Sequence, residues 1–203
     1  MIAIIDYGMG NLRSVQKGLE KSGFQAEITS EPEGAKKAQG IVLPGVGAFA
    51  EAMANLREKG LDLVIKEEVA KGKPLLGICL GLQLLFDYSE EGEGSEGLGI
   101  FSGRVRRLPQ HLKVPHMGWN QVKIKKTNPL FTGVADNSYF YFVHSYYVDP
   151  EDEGIIAGTT EYGLEFVSMV AQDRIFGVQF HPEKSSSLGL QMLANFGRLV
   201  EGC

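Results

Sequence analysis

Cys79, in Gly77-Ile78-Cys79-Leu80-Gly81, comes immediately after the apolar run Pro74-Leu75-Leu76-Gly77-Ile78 and before Leu82-Gln83-Leu84-Leu85-Phe86. This reads as strand, sharp turn, helix. A turn that tight folds the backbone back on itself and leaves no space for side chains two residues before and after its apex, so glycine is needed at both. The apex residue is Cys79. Free N–H groups and the positive dipole end of the following helix favour an anion at that point. The competing reading is a buried core cysteine, against which both flanking glycines argue. A strand feeding a helix through such a turn belongs in a parallel α/β sheet.

The rest of the first half has the same alternation. Met1 to Asp6 reads as a buried strand, Tyr7-Gly8-Met9-Gly10-Asn11 as a loop, and Leu12, Val15 and Leu19 recur at helical spacing before Gly23. Phe24 to Ile28 and Gly40-Ile41-Val42-Leu43 are further strands. Phe49, Met53 and Leu56 mark one helix, and Leu61, Ile65 and Val69 another. Alternating strands and helices predict a parallel sheet with helices on both faces. The second half differs. Arg104 to Arg106, Gln121 to Ile124, Tyr139 to Val148, Ile155 to Thr160, Phe166 to Ala171 and Ile175 to Phe180 are strand-like with few helical stripes between them. The expected class is α/β: a mostly parallel central sheet flanked by helices, with added antiparallel strands in the C-terminal half and a closing helix carrying Leu188, Met192, Phe196, Leu199 and Val200. The acidic, glycine-rich segment Glu90 to Gly97 reads as a mobile solvated loop.

At 203 residues, one domain covering 1–203 is expected. A net charge of −5 argues against general affinity for nucleic acid or anionic membrane. Two cysteines, Cys79 and Cys203, make no disulfide framework and fit a reducing, cytosolic setting. Ile2-Ala3-Ile4-Ile5 is interrupted by Asp6 too soon for a signal peptide, and no run approaches the ~20 apolar residues of a membrane span. A soluble cytoplasmic protein is expected.

A cysteine nucleophile needs a base and a group to orient that base. Of His111, His116, His144 and His181, the best placed is His181, in Phe180-His181-Pro182-Glu183 at the end of a strand. Pro182 keeps His181 out of the helical region. Residues two apart in extended chain share a side, so Glu183 reaches one imidazole nitrogen and leaves the other for Cys79. Open α/β sheets place their sites beyond the carboxyl ends of the strands, where both residues fall. Pro44-Gly45-Val46-Gly47 also follows a strand and precedes a helix. Its glycines let backbone N–H groups turn inward, so the N–H of Gly45 or Val46, with that of Leu80, would form a two-donor oxyanion hole. The segment lacks the Gly-Lys-Ser/Thr ending of a phosphate loop. Gly8-Met9-Gly10 fails as a dinucleotide fingerprint because residue 13 is Arg. No histidine or cysteine spacing suggests a metal site.

Gly77-Ile78-Cys79-Leu80-Gly81-Leu82-Gln83, His181-Pro182-Glu183 and Leu43-Pro44-Gly45-Val46-Gly47 together resemble the class I, triad-type glutamine amidotransferases. Asp6 to Leu12, Pro115-His116-Met117-Gly118-Trp119-Asn120, Tyr141 to Tyr146 and His181 to Ser186 are similar, more narrowly, to the glutaminase subunits of imidazole glycerol phosphate synthases, in histidine biosynthesis. The resemblance implies hydrolysis of L-glutamine to glutamate and ammonia by Cys79, His181 and Glu183 through a γ-glutamyl thioester, with no cofactor and no metal. It implies a heterodimer in which ammonia passes to a separate (β/α)8-barrel cyclase subunit, whose products are imidazole glycerol phosphate and aminoimidazole carboxamide ribonucleotide. The chain ends soon after Glu183, so the ammonia-using domain is expected on that partner. Gly47, Gln83, Glu91, Ser145 and Tyr146 match glutamine-binding positions, and Asn11, Trp119, Asn120 and Lys184 match positions facing the partner. Competing readings are the glutaminase subunit of anthranilate or pyridoxal phosphate synthase, a stand-alone cysteine hydrolase, and a non-catalytic binding module.

Overall fold

The computed structural model describes residues 1–202, so Cys203 lies outside the described residues. The first half runs β1 (Ile2–Ile5), α1 (Leu12–Lys21), β2 (Ala26–Thr29), α2 (Pro32–Lys37), β3 (Gly40–Gly45), α3 (Phe49–Glu58), α4 (Leu61–Ala70), β4 (Leu75–Cys79) and α5 (Leu80–Leu84). The second half runs β5 (Phe86–Ser89), β6 (Ser95–Glu96), β7 (Phe101–Arg107), β8 (His116–Ile124), β9 (Ser138–His144), β10 (Tyr146–Pro150), β11 (Ile156–Glu161), β12 (Glu165–Gln172), β13 (Ile175–Val178) and α6 (Ser186–Glu201).

Strand order along the sheet is β2-β1-β3-β4-β13-β12-β10-β7-β5-β6, with β11 bridging β12 and β8, and β9 beside β8. From β2 through β13 neighbouring strands are parallel. The strands added beyond are antiparallel except where β5 meets β7. Both faces of the parallel part are buried, and the strand alternation divides their side chains. Ile2, Ile4, Val42, Leu76 and Ile78 point to the face covered by Val15 and Leu19 of α1 and by Met192, Leu193 and Phe196 of α6. Ile5, Ile41, Leu43 and Leu75 point to the opposite face, under Phe49, Met53 and Leu56 of α3 and Leu61 and Ile65 of α4. Fully burying such a side chain is worth roughly 1.5–3 kcal/mol, so these two layers supply the main driving force for folding. Among the described residues no helix is long and apolar enough to cross a membrane.

Three expectations need correction. Tyr139 to Val148 is two strands broken at Ser145, because β9 pairs with β8 whereas β10 pairs with β7 and β12. α2 was not expected; it begins at Pro32 and buries only Ala35, which leaves no apolar period to detect. Glu90 to Gly97 is tied down rather than free in solvent. Ser95 and Glu96 pair with β5, and the Glu91 carboxylate accepts the Phe49 N–H at the start of α3 at 2.8 Å.

Register sets the position of everything that follows. Gly45 pairs with Cys79, and Val178 pairs with Ile78. The chain leaving β13, with Gln179 and then His181, therefore emerges level with Cys79 at the carboxyl edge of the parallel strands.

Candidate active site

Cys79 ends β4 and caps α5 with φ 55° and ψ −109°, a left-handed conformation for a residue with a side chain. Such a conformation costs about 1–3 kcal/mol and persists only where the surroundings hold it. Here the surroundings are close. A Cβ on Gly77 would lie 2.8 Å from the Gly81 carbonyl oxygen, and one on Gly81 would collide with the Leu43 carbonyl. The elbow therefore needs both glycines. The Cys79 side chain is buried but reaches a cavity of about 360 Å³, within the range of pockets that enclose small molecules.

His181 and Glu183 follow β13, with His181 extended at φ −103° and ψ 98° ahead of Pro182. His181 Nδ1 lies 2.8 Å from Glu183 Oε1, with both side chains almost completely buried. Nε2 is buried without a hydrogen-bond partner of ordinary geometry, and it is the nitrogen left for Cys79. Burial alone lowers the imidazole pKa, but Cys79 and Glu183 together outweigh it and raise His181 to about 9. The segment is held by its backbone as well. His181 N–H donates to the Tyr141 carbonyl at 2.9 Å, and the Ser185 hydroxyl donates to the His181 carbonyl at 2.6 Å. Ser185 Oγ also accepts the Tyr141 N–H at 3.0 Å.

The cavity is lined by Val46, Gly47, Leu80, Gln83, Glu91, Ser145 and Tyr146, each given a site role from sequence, and also by Pro115, Val143 and His144, which were given none. Gly45 sits just behind, where a Cβ would meet Leu80 Cβ at 2.9 Å and collide with the Tyr7 hydroxyl. Tyr7, which the sequence reading left in a loop without a role, is fully buried and donates from its hydroxyl to the Pro44 carbonyl at 2.8 Å. Burial, and after it the charge of Cys79, pushes the Tyr7 pKa upward, so the phenol keeps the proton that it donates. The Pro44–Gly45 peptide is thereby fixed. Gly47, in contrast, has φ 108°, a backbone conformation that favours glycine. Gln83 Nε2 bonds the Tyr146 carbonyl at 3.0 Å and Gln179 Oε1 at 3.1 Å, so only Gln83 Oε1 remains for anything in the cavity. One oxygen of Glu91 is engaged by Phe49 N–H.

Of the four residues expected at a partner surface, Trp119 is 53% exposed, with its ring edge-on to Tyr141 at 6.1 Å between centroids. Lys184 is exposed and its Nζ stands 5.9 Å from the same Tyr141 ring. Asn11 is half-buried at the start of α1 and its side chain does not cap the helix. The Asn120 side chain is used internally, by the Glu161 carbonyl at 2.9 Å and by Gln121 N–H at 2.8 Å. Among the described residues no three His, Cys, Asp or Glu side chains gather as a metal-ligand set.

The family model for class-I glutamine amidotransferases matches residues 3–199. An imidazole glycerol phosphate synthase subunit HisH from Moorella thermoacetica is 58% identical over 98% of this chain and 95% of its own length. The subunit of the same name from Dehalococcoides mccartyi is 52% identical over 100% of this chain and 98% of its own. A crystal structure described as a glutamine amidotransferase superposes with a TM-score of 0.78 over the whole of both chains at 17% identity, a likeness of fold. The chain thus belongs to the class-I glutamine amidotransferases, among the HisH subunits of imidazole glycerol phosphate synthase.

Proposed function

We propose that this chain hydrolyses L-glutamine to glutamate and ammonia through a Cys79-His181-Glu183 triad and hands the ammonia to a separate (β/α)8-barrel cyclase subunit. The observation that carries the reading is a strained cysteine at the cavity that also holds Gly47, Gln83, Glu91, Ser145 and Tyr146, with a carboxylate-oriented histidine from about a hundred residues away close enough for the cysteine to raise its pKa.

The Cys79 thiol gives its proton to His181 Nε2, and the sulfur attacks the side-chain carbonyl carbon of glutamine. Glu183, bonded to Nδ1, stabilises the resulting imidazolium. The carbonyl oxygen becomes an oxyanion, held by the Leu80 N–H and by the N–H of Gly45 or Val46. Collapse breaks the C–N bond as His181 returns the proton to the departing nitrogen, which leaves as ammonia. A γ-glutamyl thioester remains on Cys79. His181 then takes a proton from water, hydroxide attacks the thioester, and protonation of the sulfur releases glutamate. Tyr7 supports this sequence by fixing the Pro44–Gly45 peptide next to the hole. A peptide N–H of the Gly45-Val46-Gly47 loop can turn inward when the partner is bound, so that glutamine is not hydrolysed without an acceptor.

The partner reading rests on the curated relatives, which are named as subunits of one synthase, and on the exposed aromatic and basic cluster of Trp119, Tyr141 and Lys184. A large aromatic side chain ringed by polar groups is typical of an interface anchor. The cyclase would convert phosphoribulosyl-formimino aminoimidazole carboxamide ribonucleotide and ammonia to imidazole glycerol phosphate and aminoimidazole carboxamide ribonucleotide. The test is Cys79→Ala in the reconstituted complex. Glutamine-dependent synthesis is abolished while ammonia-dependent synthesis continues; loss of both would make Cys79 a structural residue.

A further inference from the structure

Four buried side chains have no step in the mechanism above: His116, His144, Gln83 and Gln179. They form one continuous hydrogen-bonded chain, and its direction follows from a single atom. The Tyr146 carbonyl oxygen can only accept. It receives Gln83 Nε2 at 3.0 Å and His144 Nδ1 at 2.8 Å, so both are donors. Toward the surface, with the ring neutral, His144 Nε2 is an unprotonated acceptor, and its neighbour 2.9 Å away, His116 Nδ1, carries the proton. His116 Nε2 in turn accepts from Asn120 Nδ2 at 3.3 Å. Both imidazoles are neutral in this arrangement. Their lowered pKa values, about 4 for His116 and about 3 for His144, agree, with burial the leading cause in each.

Toward the interior the same logic reaches the sulfur. The second proton of Gln83 Nε2 goes to Gln179 Oε1 at 3.1 Å. Gln179 must then present its nitrogen on the other side, where Nε2 lies 3.7 Å from Cys79 Sγ. A carboxamide N–H donates and does not accept, so the sulfur is the acceptor. Besides His181, the sulfur meets the Val143 carbonyl at 3.8 Å, which can only receive the thiol proton. Gln179 is fully buried, so its N–H has no water to turn to.

We infer that Gln179 is a further catalytic residue: its side-chain N–H binds the sulfur anion of Cys79, and the acceptor-anchored chain through Gln83, Tyr146 O, His144 and His116 fixes that amide nitrogen-first. This rests on the assignment of Cys79 as nucleophile. Gln179 acts before substrate arrives and again at the final collapse, when the thioester C–S bond breaks and negative charge returns to the sulfur, while the oxyanion hole acts on the oxygen. Gln83 is a positioning residue here, since turning its amide would let the Gln179 amide turn as well.

The test is alkylation of Cys79 by iodoacetamide across a pH series, in the full chain carrying Cys203→Ser so that Cys79 is the sole thiol, with glutamine hydrolysis followed in the complex with the cyclase. Gln179→Met keeps the length and removes the donor. A hydrogen bond to a charged group implies that alkylation at pH 7 falls about ten-fold or more. The alkylation profile moves to more alkaline pH, and kcat falls with KM nearly unchanged. Gln83→Met gives a smaller displacement in the same direction and carries the test alone should Gln179→Met not fold. A wild-type alkylation profile in a folded Gln179→Met, or in Gln83→Met when that variant must stand alone, overturns the inference and leaves the triad untouched. A parent chain whose Cys79 resists alkylation and which hydrolyses no glutamine overturns the nucleophile assignment itself.

Discussion

His181 and His144 lie near the same edge of the sheet, both almost fully buried, with opposite electrostatics. Burial disfavours the charged form of each. His181 nevertheless has its pKa raised to about 9, because Cys79 and Glu183 bear on it from its two nitrogens. His144 is lowered to about 3 by burial, because the Tyr146 carbonyl offsets only part of it and His116 and His181 lower it further. Burial therefore does not decide what a histidine does. The charge of its partners does: an imidazole between a thiol and a carboxylate can hold a proton in transit, while one between neutral groups serves as a directional link with a fixed tautomer.

The largest break in this contrast is Glu183→Gln. Without the carboxylate, His181 faces partners more like those of His144, its pKa drops, and kcat for glutamine falls by roughly 10³-fold or more, by analogy with amide replacement of a triad carboxylate. Glutaminase assays in the complex, with NMR titration of the His181 ring, check both effects; kcat within ten-fold of the parent would contradict the account. Tyr7→Phe is milder. It leaves the aromatic packing and removes the bond to the Pro44 carbonyl, and a net hydrogen bond of about 1 kcal/mol implies that kcat falls roughly five- to ten-fold with KM within two-fold. A change confined to thermal stability would make Tyr7 purely structural.

The last effect is on stability against pH rather than on rate, and the two regions have opposite signs. His181, raised when folded, contributes stability that is complete below about 6.5 and is lost as pH rises through about 9. His116 and His144, lowered when folded, take up protons near 6.5 only in the unfolded chain, so their contribution is lost as pH falls from about 6.5 toward about 4 and 3. Each histidine contributes a slope of about 1.4 kcal/mol per pH unit within its window. Urea unfolding between pH 4 and 9, with ring ¹⁵N spectra at pH 5, tests this. The spectra are expected to show His116 and His144 neutral and protonated at Nδ1; a cationic ring at either position would break the chain drawn through them.

Much of the site was legible in sequence because its most constrained parts are local. The elbow shows itself by Gly77 and Gly81, each required by a clash that the structure contains. The His181–Glu183 pair is set by Pro182 and an i,i+2 relation. Tyr7 and Gln179 left no such mark, because their partners, Pro44 and Cys79, are 37 and 100 residues away and meet them only through sheet register. The parallel half of the fold followed from its alternating apolar pattern. The break at Ser145 did not, because Tyr139 to Val148 is continuously strand-like and only the change of neighbours from β8 to β7 and β12 divides it. The anchoring of the Glu90 to Gly97 segment through Glu91 left no mark for the converse reason. Its surroundings in sequence are acidic and glycine-rich, while its partner, the Phe49 N–H, lies at the start of a distant helix.

The most direct measurement is acid quenching of the complex during glutamine turnover, followed by peptide mass analysis. The account predicts a γ-glutamyl group carried by the peptide containing Cys79, absent in Cys79→Ala, and accumulating when His181 is replaced by a residue that permits acylation but cannot activate water. Steady glutamine hydrolysis with no acyl group on Cys79, or undiminished hydrolysis by Cys79→Ala, would contradict it.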